Sequence, residues 1–222
     1  GIVHAGFHHA PATLKARLEI EGNLMFERLH HELGFTFKRV GILVAAFSDE
    51  QMETVQHLYR QGIDNGVPGM EICGARRVRA LEPNINHDVV GGLFAPSGGV
   101  MEPYRFVFSL IENAQQNGVE LHCDFDVVSA RHDGAAHAIT ARDGRTVRAQ
   151  VAINTAGLYA DDVSALFGGE RFGIVARKGE EYLLDRNSDG FPNHVLFPVP
   201  VKNSKGILVI PTAAGTTMVG PT

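Results

Sequence analysis

"VAINTAGLYADDVSALFGG", residues 151–169, changes its character midway. Val151, Ala152 and Ile153 form a short apolar run that predicts a buried strand. Past Asn154, Thr155, Ala156 and Gly157, the apolar positions Leu158, Val163, Leu166 and Phe167 suit a helix. A strand that enters a helix through small residues leaves bare main chain at the joint. Either a close strand–helix crossing needs that room, or a ligand lies on the backbone, with the first helical amides open to an anion. Taken alone the joint favours the crossing, because isolated glycine patterns are common.

Upstream of the joint, residues 119–154 alternate with period two and predict four or more strands, the middle pair joined at Asp143-Gly144. Phe106, Leu110, Ile111 and Ala114 predict an amphipathic helix over residues 103–117, closed by Gly118. "GGLFAPSGGVMEP", residues 91–103, reads as a glycine- and proline-rich loop around one short strand. Residues 70–85 predict a short strand and a short helix ended by Pro83. Ser48 and Gln51 have capping-box spacing and open a helix that stops at Asn65-Gly66. Residues 35–47 predict two strands about Gly41. Residues 12–34 predict a helix with Leu14, Leu18, Met25, Leu29 and Leu33 along its apolar stripe and Gly34 as its C-cap. Downstream, "EEYLLD", "HVLFPVP", "GILVIPT" and "TTMVGPT" predict four more strands. The class is therefore mixed α/β (α+β), and two domains whose segments alternate along the chain explain the order.

The 222 residues hold 25 acidic and 20 basic side chains, and the net charge of −5 is spread without a basic block. Nucleic acid is therefore not an expected partner. Cys73 and Cys123 stand far apart with no CxxC or Cys/His cluster, which argues against zinc and a disulfide framework. A reducing compartment, the cytoplasm, is expected, with any membrane association made through partners. No apolar run is long enough to be a transmembrane segment. The chain opens at a glycine and closes on a strand-like run, so an excerpt from a longer polypeptide is expected.

Among chemistry-bearing residues, His4 lies between small residues in "GIVHAG" and suits a loop pressed against a flat ligand. His8 and His9 suggest a metal, but neighbours on an extended chain point to opposite sides and no carboxylate or cysteine sits nearby, so none is expected. Arg76, Arg77 and Arg79, with Glu71 and Glu82 close by, read as a solvated charged face. On spacing alone Lys178 and Tyr182 read as the ordinary start of a strand. Ser48 and Ser97 lack histidine–acid partners, and no GxGxxG is present.

An ordered set of segments carries a resemblance: "GIVHAG" with "PATLKARLEIEGN", "LEPNI", "GGLFAPSGGVMEPYRF", "VAINTAGLYADDVSAL", "RKGEEYLLD", and "HVLFPVPVKNSKGILVIPT" with "MVGPT". Together they resemble the FAD-dependent oxidoreductases of the glycine-oxidase and D-amino-acid-oxidase (DAO) superfamily. Within it, the anaerobic-type glycerol-3-phosphate dehydrogenases and the L-2-hydroxyglutarate dehydrogenases look nearest. The resemblance implies a fragment of a two-domain flavoprotein: a partial FAD-binding domain in residues 1–34 and 101–173, and an antiparallel-sheet substrate domain in residues 35–100 and 174–222. It implies FAD as cofactor, met by Gly1, Ile2, Val3, His4, Ala5 and Gly6, by Val127 at the adenine, and by Thr155, Ala156 and Gly157. On that reading the joint is small because a cofactor lies on it.

The same resemblance implies His4 as the catalytic base or a hydrogen-bond partner of the substrate oxygen, and His8, Lys178 and Tyr182 as substrate contacts. The implied activity is hydride transfer to flavin from a small anionic hydroxy metabolite of the glycerol-3-phosphate kind, with the electron acceptor left open. The alternatives are L-2-hydroxyglutarate oxidation, an amino-acid or amine oxidase of the same superfamily, and a truncated, non-catalytic piece that does not hold FAD by itself. The family's N-terminal dinucleotide-binding unit is not among these residues. An arginine that the hydroxyglutarate enzymes tend to have near Pro211 is also missing, and the "GILVIPT" form, closer to anaerobic glycerol-3-phosphate-type sequences, tilts the reading towards glycerol-3-phosphate.

Overall fold

A computed structural model describes residues 1–186, 190–200 and 206–221; the "VKNSK" part of the expected C-terminal strand region lies outside them. The chain opens with β1 (Ile2–Val3), α1 (Leu14–Leu33), β2 (Phe37–Lys38), β3 (Ile42–Ala46) and α2 (Asp49–Asp64). β4 (Glu71–Gly74), α3 (Ala75–Leu81), β5 (Gly91–Ala95), β6 (Gly99–Met101) and α4 (Pro103–Gln116) follow. Next come β7 (Val127–His132), β8 (His137–Ala141), β9 (Thr146–Ala149) and α5 (Ala160–Leu166), then β10 (Tyr182–Leu184), β11 (Val195–Pro198), β12 (Leu208–Pro211) and β13 (Thr217–Gly220). Gly1–Asn117 with Gly179–Thr222 make one compact unit and Gly118–Lys178 another.

In the first unit a seven-stranded sheet runs in the order β10-β13-β12-β11-β3-β5-β4. β3 is apolar throughout because both of its faces are covered. Ile42, Val44 and Ala46 join Val55 and Leu58 of α2 in one core, while Leu43 and Ala45 join Val78 of α3 in another. Every pairing is antiparallel except β3 with β11, which lie parallel with Ile42 opposite Val195 and Ala45 opposite Pro198. A second sheet, β1-β6-β2, packs Val3, Phe35 and Phe37 against Phe26 of α1 and Phe106 of α4.

Residues 91–103 do not loop around one strand as expected; they supply β5 and β6, in different sheets. Their glycines are there because main chains meet closely. A Cβ on Gly92 would lie 2.5 Å from the Val44 carbonyl oxygen, and one on Gly99 2.7 Å from that of Lys38. Gly92→Ala is therefore expected to cost about 1–3 kcal/mol through overpacking. The check is a lower urea midpoint at unchanged slope; a wild-type midpoint would mean that the strands part freely.

The helix over residues 12–34 forms as expected, with Thr13 Oγ1 accepting from the Ala16 amide and Gly34 left-handed at its C-cap. Its buried face agrees in part. Leu29 and Leu33 pack against the cluster of Val3, Phe35 and Phe37, whereas Leu14, Leu18 and Met25 are exposed and Ala16 and Asn23 are buried. Asn23 faces inward because it holds a loop, described below. Glu82, expected on a solvated face, is 2% exposed. Its carboxylate accepts from the Asn193 and His194 amides and contacts His194 Nδ1 at 2.7 Å.

In the second unit, three strands rather than four form an antiparallel sheet, β7-β8-β9. Residues 119–126 are not strand, and neither is the run Val151 to Ile153. Val151 and Ile153 are 76% and 84% exposed, because no strand among the described residues offers them a ladder. No helix among the described residues is long and apolar enough to cross a membrane.

Candidate functional site

Past β1 the chain leaves its sheet, and residues 4–9 present carbonyls that no ladder satisfies. Three side-chain amides take them up. Asn23 Nδ2 donates to the His4 carbonyl at 2.7 Å and to that of Ser97 at 2.9 Å. Gln61 Nε2 donates to Phe7 O at 2.7 Å, and Asn65 Nδ2 to Gly6 O and His9 O at 2.9 Å each. Asn23 is 4% exposed, and Arg39 Nη1 donates to its oxygen at 3.0 Å. Gly6 has φ +106°, and a Cβ there would sit 2.4 Å from Ile20 Cγ1, so only glycine fits. The main chain that carries His4 is thereby fixed from two helices.

His4 borders a cavity of about 700 Å³ together with Gly1 and Ile2. The turn between β12 and β13 contributes Thr212 and Thr216, and the start of α4 contributes Arg105. Towards α1, His4 and Glu19 border two further cavities, of about 560 Å³ and about 380 Å³. Glu19 Oε1 lies 3.8 Å from His4 Nδ1 and Oε2 lies 3.8 Å from His9 Nε2. Burial pushes the Glu19 carboxyl above its usual value, partly opposed by His9. His8 is stacked between Phe7 and Phe197, with ring centroids at 4.1 and 5.2 Å. The chain bends at residues 6, 8 and 9, so His8 and His9 do not point to opposite sides; both line the smaller cavity. Among the described residues no group of three or more His, Cys, Asp or Glu is placed to hold a metal.

In the second unit a cavity of about 590 Å³ gathers Val127, Thr155 and Ala156 with Ile153, Val163 and Phe167. Asn154 stiffens the joint: its Oδ1 accepts from the Ala156 amide at 3.1 Å and its Nδ2 donates to Ala160 O at 2.7 Å. Gly157 has φ +59°, and a Cβ there would meet nothing within 4 Å. Packing does not demand glycine at this place; the left-handed backbone does, and the space beside it is open. The helix start differs from expectation. α5 has only seven residues and carries Asp161 and Asp162 in its first turn, which repel an anion. Asp161 Oδ2 accepts from the Ile174 amide at 2.9 Å, which holds its carboxyl below the usual range.

Residues 1–222 match the family described as FAD dependent oxidoreductase (DAO). The chain belongs to that family. It is 41% identical over 221 residues to a protein named glycerol 3-phosphate dehydrogenase from Caloramator mitchellensis, an alignment covering 99% of this chain and 46% of the relative. It is 27% identical over 238 residues to the mitochondrial L-2-hydroxyglutarate dehydrogenase of Bos taurus, covering 100% and 50%. The dithionite-reduced L-alpha-glycerophosphate oxidase of Mycoplasma pneumoniae with FAD bound superposes with a TM-score of 0.92 at 25% identity, covering 100% of this chain and 59% of that one. The chain thus spans about half the length of the curated relatives it matches.

Within this DAO-family chain the expected cofactor residues fall into two groups. Gly1, Ile2 and His4 share the large cavity of the first unit, while Val3, Ala5 and Gly6 are buried behind it. Val127, Thr155 and Ala156 share the cavity of the second, with Gly157 exposed beside them in sequence. Apolar lining and bare main chain at that cavity suit a flat ring such as adenine, whereas Asp161 and Asp162 nearby do not suit a phosphate. Of the expected substrate contacts, His8 shares a cavity with His4, whereas Tyr182 is exposed on β10 and Lys178 lies in extended chain ahead of it. Sequence reasoning missed Glu19, Asn23, Gln61 and Asn65. The one available signal was a glutamate and an asparagine four apart on one helix face.

Proposed function

We propose that the longer protein is an FAD-dependent dehydrogenase or oxidase acting on a small anionic hydroxy metabolite, glycerol-3-phosphate before others. The observation that carries this reading is His4, its main chain clamped by Asn23, at the border of a large cavity in a chain of this family. FAD would be held by the main chain of residues 1–6 in one place and by Val127, Thr155, Ala156 and Gly157 in the other. Residues 1–34 and 101–173 are assigned to its binding domain, and residues 35–100 and 174–222 to the substrate domain.

When bound, flavin supplies the two-electron acceptor for the carbon-bound hydrogen. His4 takes the hydroxyl proton at an imidazole nitrogen, so that the alcohol can become a carbonyl. Among the described residues the wall of the large cavity carries Arg105 together with Glu102 and Glu181. Lys178, His8 and Tyr182 are assigned as substrate contacts by likeness to the family. Cytoplasmic residence is part of the same proposal.

L-2-hydroxyglutarate oxidation is the second reading, favoured by a relative of that name aligned along the whole chain. Full-length protein supplied with a dye acceptor decides between them. kcat/KM for glycerol-3-phosphate is expected to exceed that for L-2-hydroxyglutarate by at least about tenfold, the equivalent of about 1.4 kcal/mol in transition-state binding. The reverse order would install the second reading, and a preference for sarcosine would overturn both.

A further inference from the structure

We infer that Glu19 is a positioning residue for His4: its carboxylate, set between His4 Nδ1 and His9 Nε2, orients the imidazole and raises its basicity. The inference rests on the reading of His4 as the base. One helix, α1, then holds both ends of that residue, with Asn23 on the carbonyl and Glu19, one turn earlier, on the ring.

Three observations support the assignment. Glu19 stands on the buried side of α1, where an apolar residue would cost less. Its Oε2 is buried and accepts no hydrogen bond, an arrangement that calls for a purpose. His4 borders the large cavity, whose described lining does not include Glu19; Glu19 faces the ring from the two cavities towards α1. At 3.8 Å from each histidine the carboxylate works through its charge, and such contacts tighten when substrate closes a site. A carboxylate placed this way fixes which ring nitrogen carries the proton.

Among the described residues, the other charged and titratable groups facing this pair are Lys15 from α1 and His8 and His9 from the loop. Glu102 and Arg105 at the start of α4 and Glu181 ahead of β10 face His4 across the large cavity. Towards the small cavity, α2 contributes Leu58 and β11 contributes Phe197 and Pro198, all uncharged.

An anion beside an imidazole stabilises its protonated form, so removing Glu19's charge lowers the pKa of His4. In the full-length flavoprotein, Glu19→Gln is expected to shift the acid limb of the kcat/KM profile down by about one pH unit. Its plateau kcat falls about 10–100-fold, the range for partners that orient a working ligand, with KM and flavin content retained. Glu19→Asp, which keeps the charge, leaves the acid limb near its wild-type position. Titration of 15N-labelled histidines by NMR reads the same downward shift at His4 without any turnover.

Folding serves as the control. A carboxyl raised by burial binds its proton more tightly when folded, so its ionisation removes stability as pH climbs through the folded value. The thermal midpoint of Glu19→Gln at pH 7 to 8 should therefore equal or exceed that of wild type, the gap closing as the pH falls into the ordinary carboxylate range. Wild-type kinetics and an unmoved His4 titration in Glu19→Gln would overturn the role of Glu19, provided His4→Asn is inactive. A fully active His4→Asn would overturn the reading of the base beneath it.

Discussion

Full-length protein carrying His4→Asn is expected to turn over its substrate about 10²–10⁴-fold more slowly than wild type, the usual contribution of a positioned base. The loop should survive the change. The His4 carbonyl is held by Asn23, its neighbours Gly6 and Phe7 by Asn65 and Gln61, and β1 by its pairing with β6. Asparagine keeps a polar side chain of similar reach but has no proton affinity near neutral pH. kcat and kcat/KM should therefore fall together, the pattern of an interaction made only in the transition state. Steady-state kinetics with flavin content measured on the same sample make the check. Unchanged turnover would strike His4 from the mechanism.

Glu82→Ala is expected to cost about 2–5 kcal/mol of folding stability, because it removes a buried acceptor and leaves buried donors without a partner. Its Oε1 accepts from the His194 amide at 2.7 Å, and Oε2 accepts from the Asn193 amide at 3.1 Å. Alanine would strand both amides and the His194 ring, and each buried group left without a partner costs about 1–3 kcal/mol. Asn193 Nδ2 also donates to Leu81 O at 2.9 Å, so the whole joint ties the end of α3 to the approach to β11. Urea unfolding should show a sharply lower midpoint, with Glu82→Gln, which keeps one acceptor, losing less. A wild-type midpoint for Glu82→Ala would mean that water replaces the carboxylate without penalty.

Local signals were legible in the sequence and distant ones were not. The N-terminus of α2 needs only Ser48 and Gln51: Ser48 Oγ accepts from the Gln51 amide, and Gln51 Oε1 accepts from that of Phe47. The strands of residues 35–47 and of the C-terminal segments were read correctly because their apolar runs are bounded by turn residues. Glycine misled between residues 91 and 99, since a bend and a close backbone approach use the same residue for different reasons. Val151 to Ile153 misled because a ladder partner makes a strand, and apolar character alone does not. Part of the buried side of α1 was misjudged for a related cause: Asn23 and Glu19 meet groups at residues 4, 9 and 97, which helical periodicity cannot sense. His4 was singled out through an ordered family likeness and its flanking glycines, while the side chains on α1 and α2 that hold its loop become visible only once those helices are folded.

The parallel seam between β3 and β11 has a consequence during synthesis. β5 reaches one edge of β3 soon after that strand is made, but its other neighbour is encoded far downstream. Until the ribosome delivers β11, the most oily strand of the sheet waits with a row of unanswered amides and carbonyls, a template for pairing with other nascent chains. Pairing across so long a sequence separation slows productive collapse, so completion of this sheet is expected to lag behind synthesis of β3.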